Sequence, residues 1–202
     1  MRNNRNAKIR EQLNRLGRPT PDTLDREIAR QDRKQAYRRL MCRIFLGMLA
    51  AAAAVVLVTN LWLSVLQVDG SSMNPLLQRD EIVLTVNTSN PAKNDVIAFY
   101  HGSKIYIKRV IATGGDTVDI AQDGRVTVNG MALDEPYVSE LSLGSGDVAF
   151  PFQVPTGTVF VLGDDRPASI DSRSSQIGTI DRARIIGRVT WRLWPLSRTG
   201  RV

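Results

Sequence analysis

Three short segments hold the residues whose types and spacing could do chemistry. The first is Val68-Asp69-Gly70-Ser71-Ser72-Met73-Asn74-Pro75, where two hydroxyls sit among turn-forming residues. The second, Ile105-Tyr106-Ile107-Lys108-Arg109-Val110-Ile111, reads as a strand. A period of two sends Lys108 and Arg109 to opposite faces, one shared with Tyr106 and Val110, the other with Ile105, Ile107 and Ile111. A lysine among such neighbours either snorkels from a sheet edge or is buried. If buried, desolvation lowers its pKa and makes it a usable general base near neutral pH. The third segment, Gly163-Asp164-Asp165-Arg166-Pro167-Ala168-Ser169-Ile170-Asp171-Ser172-Arg173, follows the apolar run TVFVL. Its acids, arginines and serines make either a solvated turn or a loop locked by ion pairs that braces a neighbouring site.

Serine is a poor nucleophile unless a base takes its proton, and a desolvated lysine can replace histidine in that role. The one histidine, His101, precedes Gly102 in a turn signal and is a weak candidate for the base. Cys42 is the only cysteine, so no internal disulfide forms, and no Cys/His cluster has metal-ligand spacing. No metal and no cofactor is expected.

The elements that must position these groups begin with charge and hydropathy. With 43% hydrophobic and 23% charged residues, the chain is neither disordered nor collagen-like. The net charge of +7 is concentrated: residues 1–43 carry 13 Lys/Arg against 5 Asp/Glu, the remainder 14 against 15. Residues 44–67, IFLGMLAAAAAVVLVTNLWLSVLQ, contain no charge and are long enough as a helix to cross a hydrocarbon core of about 30 Å. A buried core helix seldom runs this long uncharged, and a cleavable signal segment is shorter and nearer the start. The reading is a retained anchor. Arg38, Arg39 and Arg43 precede it, which places residues 1–43 as a basic cytoplasmic tail and 68–202 on the far side. Attraction to the anionic lipid bilayer then accounts for the basic arm, and no nucleic-acid partner is expected. The arm itself reads as two short helical stretches around Gly17-Arg18-Pro19-Thr20-Pro21, the second capped by Asp22.

Beyond residue 67 the period changes. Strand-like runs occur at 81–86, 96–100, 105–111, 117–120, 125–128, 158–162 and 184–193, with Asp123-Gly124 a two-residue hairpin signal. The expected fold is mainly β, with antiparallel, partly barrel-like sheets over 68–202 behind one transmembrane α-helix.

The segments GSSMNP, IKRVIATGGD and GDDRPASIDSR, in that order behind one N-terminal span, resemble the type I signal peptidases, the Ser–Lys proteases of bacterial export. VTVNG, EPYV, VPTGTVFVLGD and IGRVTWRLWPL strengthen the likeness, which covers roughly residues 62–196. The resemblance implies Ser72 as nucleophile and Lys108 as general base, with Ser169 orienting the lysine. It implies Asp164, Asp171 and Arg173 as supporting residues, and Val68, Met73, Leu77, Tyr106 and Ile107 as lining the substrate pockets. The expected partners are secretory preproteins with Ala-x-Ala-like cleavage sites, bound as an added extended strand. The Ser72 N–H is the one oxyanion donor in view, since Gly70 stands where some members carry a hydroxyl. Asp165 replaces the usual asparagine, adding a negative charge that raises the Lys108 pKa. The short stretch from Lys108 to Asp164 matches the compact Gram-positive form. Met73 and the pair Trp191/Trp194 read equally as membrane-surface or core residues. A processing protease dedicated to one pilin, conjugation or secretion system, and a catalytically silent assembly homologue, are the alternatives.

Overall fold

The computed structural model describes Glu11 and residues 21–202, in two compact units, Met1–Val56 and Leu57–Val202. Helix α1, Pro21–Trp62, runs through the apolar stretch. Its portion Arg33–Leu57 contains an 18-residue stretch with a mean hydropathy of 2.3 and no buried residue, so the helix is long and apolar enough to cross a membrane. The second helical stretch of the arm continues without a break into this helix, while the first lies outside the described residues. The expected helical span was too long at its far end: Leu63–Gln67 form strand β1 instead. Pairing with the next strand, together with a bond from the Thr85 hydroxyl to the Ser64 carbonyl (2.9 Å), satisfies this backbone in extended form.

The remaining strands are β2 (Ile82–Val86), β3 (Val96–His101), β4 (Lys104–Thr113), β5 (Thr117–Ile120), β6 (Val126–Val128), β7 (Met131–Ala132), β8 (Phe152–Gln153), β9 (Thr158–Leu162), β10 (Ile180–Asp181), β11 (Ile185–Trp194) and β12 (Gly200–Arg201). They form an eight-stranded sheet, ordered β1-β2-β11-β3-β4-β9-β10 with β12 beside β11, and a four-stranded sheet, β7-β6-β5-β8. All pairings are antiparallel and neither sheet closes into a barrel. The expected mainly β, antiparallel class holds.

Residue choice explains the order. The β3 and β9 runs VIAFYH and TVFVL are almost continuously apolar and buried, as befits interior strands. Ile111, Phe160 and Leu162 of the larger sheet pack with Val118, Ile120, Val126 and Val128 of the smaller one. The hairpin around Asp123-Gly124 differs from the two-residue form expected: a turn from Ala121 to Gly124 closes through Gly124 N–H to Ala121 O (2.9 Å). Gly124 takes the left-handed φ of 85° that ends this longer loop. A third cluster joins Val68, Met73, Leu77, Val83, Val96 and Val189. It pins both flanks of the loop that carries Ser72 onto the larger sheet, and it makes Met73 a core residue.

Candidate active site

Strand β4 carries Lys108 just before its pairing with β9 begins. It pairs with β3 through Ile97↔Lys108 and with β9 from Arg109 onward. Lys108 is 2% exposed, so the choice between a snorkelling and a buried lysine falls to burial. Burial drives its pKa from the ordinary 10.5 to about 8, against the upward pull of the Asp171 carboxylate; Arg173 adds to the lowering, while Asp164 and Asp165 oppose it. Its Nζ donates to Ser169 Oγ at 2.8 Å.

Ser72 lies in a compact turn after β1. Asn74 N–H donates to Ser71 O and Leu77 N–H to Met73 O, both at 2.8 Å. The Ser72 carbonyl accepts from the Asp165 N–H at 3.1 Å, which ties the turn to the segment after β9. Gly163 is where the two serines meet. A Cβ there would lie 2.5 Å from Ser72 O and in collision with Ser169 Oγ, the partner of Lys108. Only a glycine permits that approach. Among the described residues the Ser72 N–H has no backbone acceptor.

The polar loop is locked rather than solvated. Gly163 N–H donates to Asp171 Oδ2 (3.0 Å), and Gly163 O accepts from Arg166 Nε (2.9 Å). Arg173 holds Asp171 through Nε (2.8 Å) and Nη2 (2.9 Å), and reaches the carbonyls of Arg166, Ser142 and Leu143. Burial raises the Asp171 carboxyl, but Arg173, the Gly163 N–H and Ser169 outweigh it and hold the group below its ordinary value. Asp164 forms a two-pronged pair with Arg109, at 2.8 and 2.6 Å. There burial dominates and pushes the carboxyl up, although Arg109 and Arg166 pull it back.

The structure thus gathers Lys108, Ser169, Asp164, Asp171 and Arg173 around the 163–173 loop, and ties the Ser72 backbone to that loop through the Asp165 N–H. Of the residues expected to line the pockets, Val68, Met73 and Leu77 are buried in the cluster beneath the Ser72 turn, whereas Tyr106 and Ile107 are half-buried on β4. Trp191 and Trp194 are exposed. Sequence reasoning did not find Arg109 and Glu135 as braces, and held Arg166 only as one of the arginines of the 163–173 loop. Arg109 stacks over the Tyr137 ring at 3.8 Å, and the buried Arg166 guanidinium is paired with Glu135. The only signal for them was the opposite-face position of Arg109 and the motif EPYV.

A buried lysine of lowered pKa, held by one serine hydroxyl, with a second serine in a turn tied by its carbonyl to the same loop, supplies the kind of base that acyl transfer through serine requires. The pattern of the family described as Signal peptidase, peptidase S26, matches residues 41–194. Signal peptidase IB of Staphylococcus aureus is 37% identical over 151 residues, covering 64% of this chain and 77% of its own. Signal peptidase I of Bacillus licheniformis is 35% identical over 144 residues, with 64% and 76% covered. A solved signal peptidase I from Enterococcus faecalis aligns with a TM-score of 0.42 and 31% identity over 50% of this chain and 97% of its own. The chain belongs to the signal peptidase family, peptidase S26. Within it, the enzyme is a signal peptidase of type I.

Proposed function

We propose that this chain is a single-pass membrane endopeptidase that removes N-terminal signal peptides from exported preproteins, with Ser72 as nucleophile and Lys108 as general base. The observation that carries the reading is the burial of Lys108 with its amine on Ser169, over the same glycine that touches Ser72. A neutral amine donating one hydrogen to Ser169 keeps its lone pair for the Ser72 proton. Ser72 Oγ attacks the scissile carbonyl as Lys108 takes that proton, the oxyanion is met by the Ser72 N–H, and the proton passes to the departing amine. Water then loses a proton to Lys108 and opens the acyl-enzyme ester, and Lys108 returns that proton to the departing Ser72 Oγ.

Two features support the substrate assignment. The β4 backbone from Lys104 to Lys108 has β3 on one side, while β9 covers only Arg109–Thr113 of its other side. That leaves an edge beside Lys108 for an extended peptide. The half-buried Tyr106 and Ile107 flank it, and Val68, Met73 and Leu77 would contribute to the pockets as packing beneath. Anchoring follows from the apolar Arg33–Leu57 helix, and the arginines Arg38, Arg39 and Arg43 orient its start to the cytoplasm.

The test is cleavage of a precursor with an Ala-x-Ala site by the full chain in detergent, beside Ser72→Ala and Lys108→Ala. Each variant should lose roughly 10³-fold or more in rate. Cleavage by either at the wild-type rate removes the assigned chemistry.

A further inference from the structure

A second polar cluster lies on the other flank of the Ser72 turn, built from residues far apart in the chain. Glu81, 2% exposed, ends that loop. Its Oε2 accepts from the Gln78 N–H (3.1 Å) and from Arg192 Nη1 (3.2 Å), and its Oε1 from Arg198 Nη1 (2.6 Å). The same two arginines grip the turn itself. Arg192 Nη1 donates to Leu76 O (2.7 Å) and Arg198 Nη2 to Pro75 O (3.2 Å), while Arg192 Nε holds Arg198 O (2.6 Å).

The carbonyls that end the turn begun at Ser71 are therefore capped by two cations sharing one buried carboxylate. At its other end the turn is held by Asp165 N–H on Ser72 O. Residues 195–202 complete the grip. Arg198 closes a short 3-10 turn, Leu196–Arg198, the β12 segment pairs with β11 through Arg192↔Gly200, and Val202 packs on the cluster of Met73 and Leu77. These residues lie beyond the stretch 41–194 matched by the family pattern.

We infer that residues 195–202, through Arg198 and with Arg192 and Glu81, are a positioning clasp that sets the Ser72 turn against Lys108. The hydrogen bonds of Glu81, Arg192 and Arg198 go to one another, to Gln78 and to the Pro75 and Leu76 carbonyls, and none reaches Ser72 or Lys108. Their effect passes through the turn: releasing Pro75 and Leu76 lets the nucleophile drift, and a misplacement of about 1 Å costs up to ~10²-fold in rate. The inference rests on Ser72 being the nucleophile, as proposed above.

The experiment compares Arg198→Ala, Arg198→Lys, Glu81→Gln and the double variant Glu81→Gln/Arg198→Ala, as full chains in detergent, with Ser72→Ala in the same precursor assay. Folding is checked by near-ultraviolet circular dichroism, so that kcat refers to folded enzyme. Arg198→Ala should lower kcat roughly 10- to 100-fold with KM within about twofold and the pH midpoint of kcat/KM unmoved, because Lys108 is untouched. Arg198→Lys, which keeps the charge on Glu81, should recover part of the loss. The double variant should lose no more than the worse single one. Unchanged kcat in folded Arg198→Ala, or a loss wholly in KM, overturns the clasp. An active Ser72→Ala would instead overturn the nucleophile assignment, and the clasp with it. If Glu81→Gln fails to fold, the half-exposed Arg198 position still decides the matter.

Discussion

Holding Lys108 ready for proton transfer should cost the fold stability, and Lys108→Met should give that stability back. The lysine titrates near 8 in the folded chain against an ordinary 10.5, because burial disfavours the ammonium. Below pH 8 both folded and unfolded chains carry the proton, and the full cost of burying the charge is present. Between pH 8 and 10.5 the unfolded chain binds more protons than the folded one, so wild-type stability rises with pH by up to about 1.4 kcal/mol per unit. Across that window the change amounts to about 3 kcal/mol. Methionine fills nearly the same volume without the charge. It also removes the hydrogen bond to Ser169, which offsets about 1 kcal/mol. The net expectation is a gain of about 2 kcal/mol at pH 7, or roughly 4–8 °C in the melting temperature of a domain this size. The gain should shrink above pH 8, vanish at about pH 10 and give way at higher pH to a loss of about 1 kcal/mol, where only the missing hydrogen bond remains. Thermal unfolding of the full chain in detergent, followed by near-ultraviolet circular dichroism at several pH values, measures it. A variant less stable than wild type at pH 7, or a gain indifferent to pH, would show that Lys108 is not the desolvated amine described.

Other consequences can be measured in the same preparations. The wild-type kcat/KM should climb with pH through a midpoint near 8 as Lys108 loses its proton, and Asp165→Asn should move that midpoint down, since the Asp165 charge favours the ammonium; a midpoint that stays or rises refutes the coupling. Gly163→Ala should cut kcat by about 10²-fold while costing about 1–3 kcal/mol, because its methyl group would displace Ser72 O and Ser169; near-normal turnover would show the two serines are not held over that glycine. Asp164→Asn strips the buried Arg109 of its carboxylate and should lower the urea-derived stability by about 3 kcal/mol or more, whereas a loss under 1 kcal/mol would mean that Tyr137 and Asn94, whose carbonyl accepts from Arg109 Nη1 (3.1 Å), suffice to hold the guanidinium.

Much of this protein was legible without coordinates because its signals are local. Alternation along 105–111 separates Lys108 from Arg109 by face, and the structure sends one to Ser169 and the other to Asp164. The long uncharged run announces a helix fit for a bilayer, and the motif order announces the family. Local signals also misled at a boundary: Leu63–Gln67 is as apolar as the helix before it, and only the cross-strand partners in β2 make it a strand.

What tertiary structure alone decided is the state of the charged groups. Whether Lys108 is solvated or dry depends on what packs around it, and no spacing within its own strand encodes that. The pairs Arg109–Asp164, Arg166–Glu135 and Arg198–Glu81 join residues 55, 31 and 117 positions apart, so each exists only once the sheets have formed. Sequence determined which residue types were available and how they alternate along each strand. Folding determined which charges lose their water, and hence which amine can act as a base.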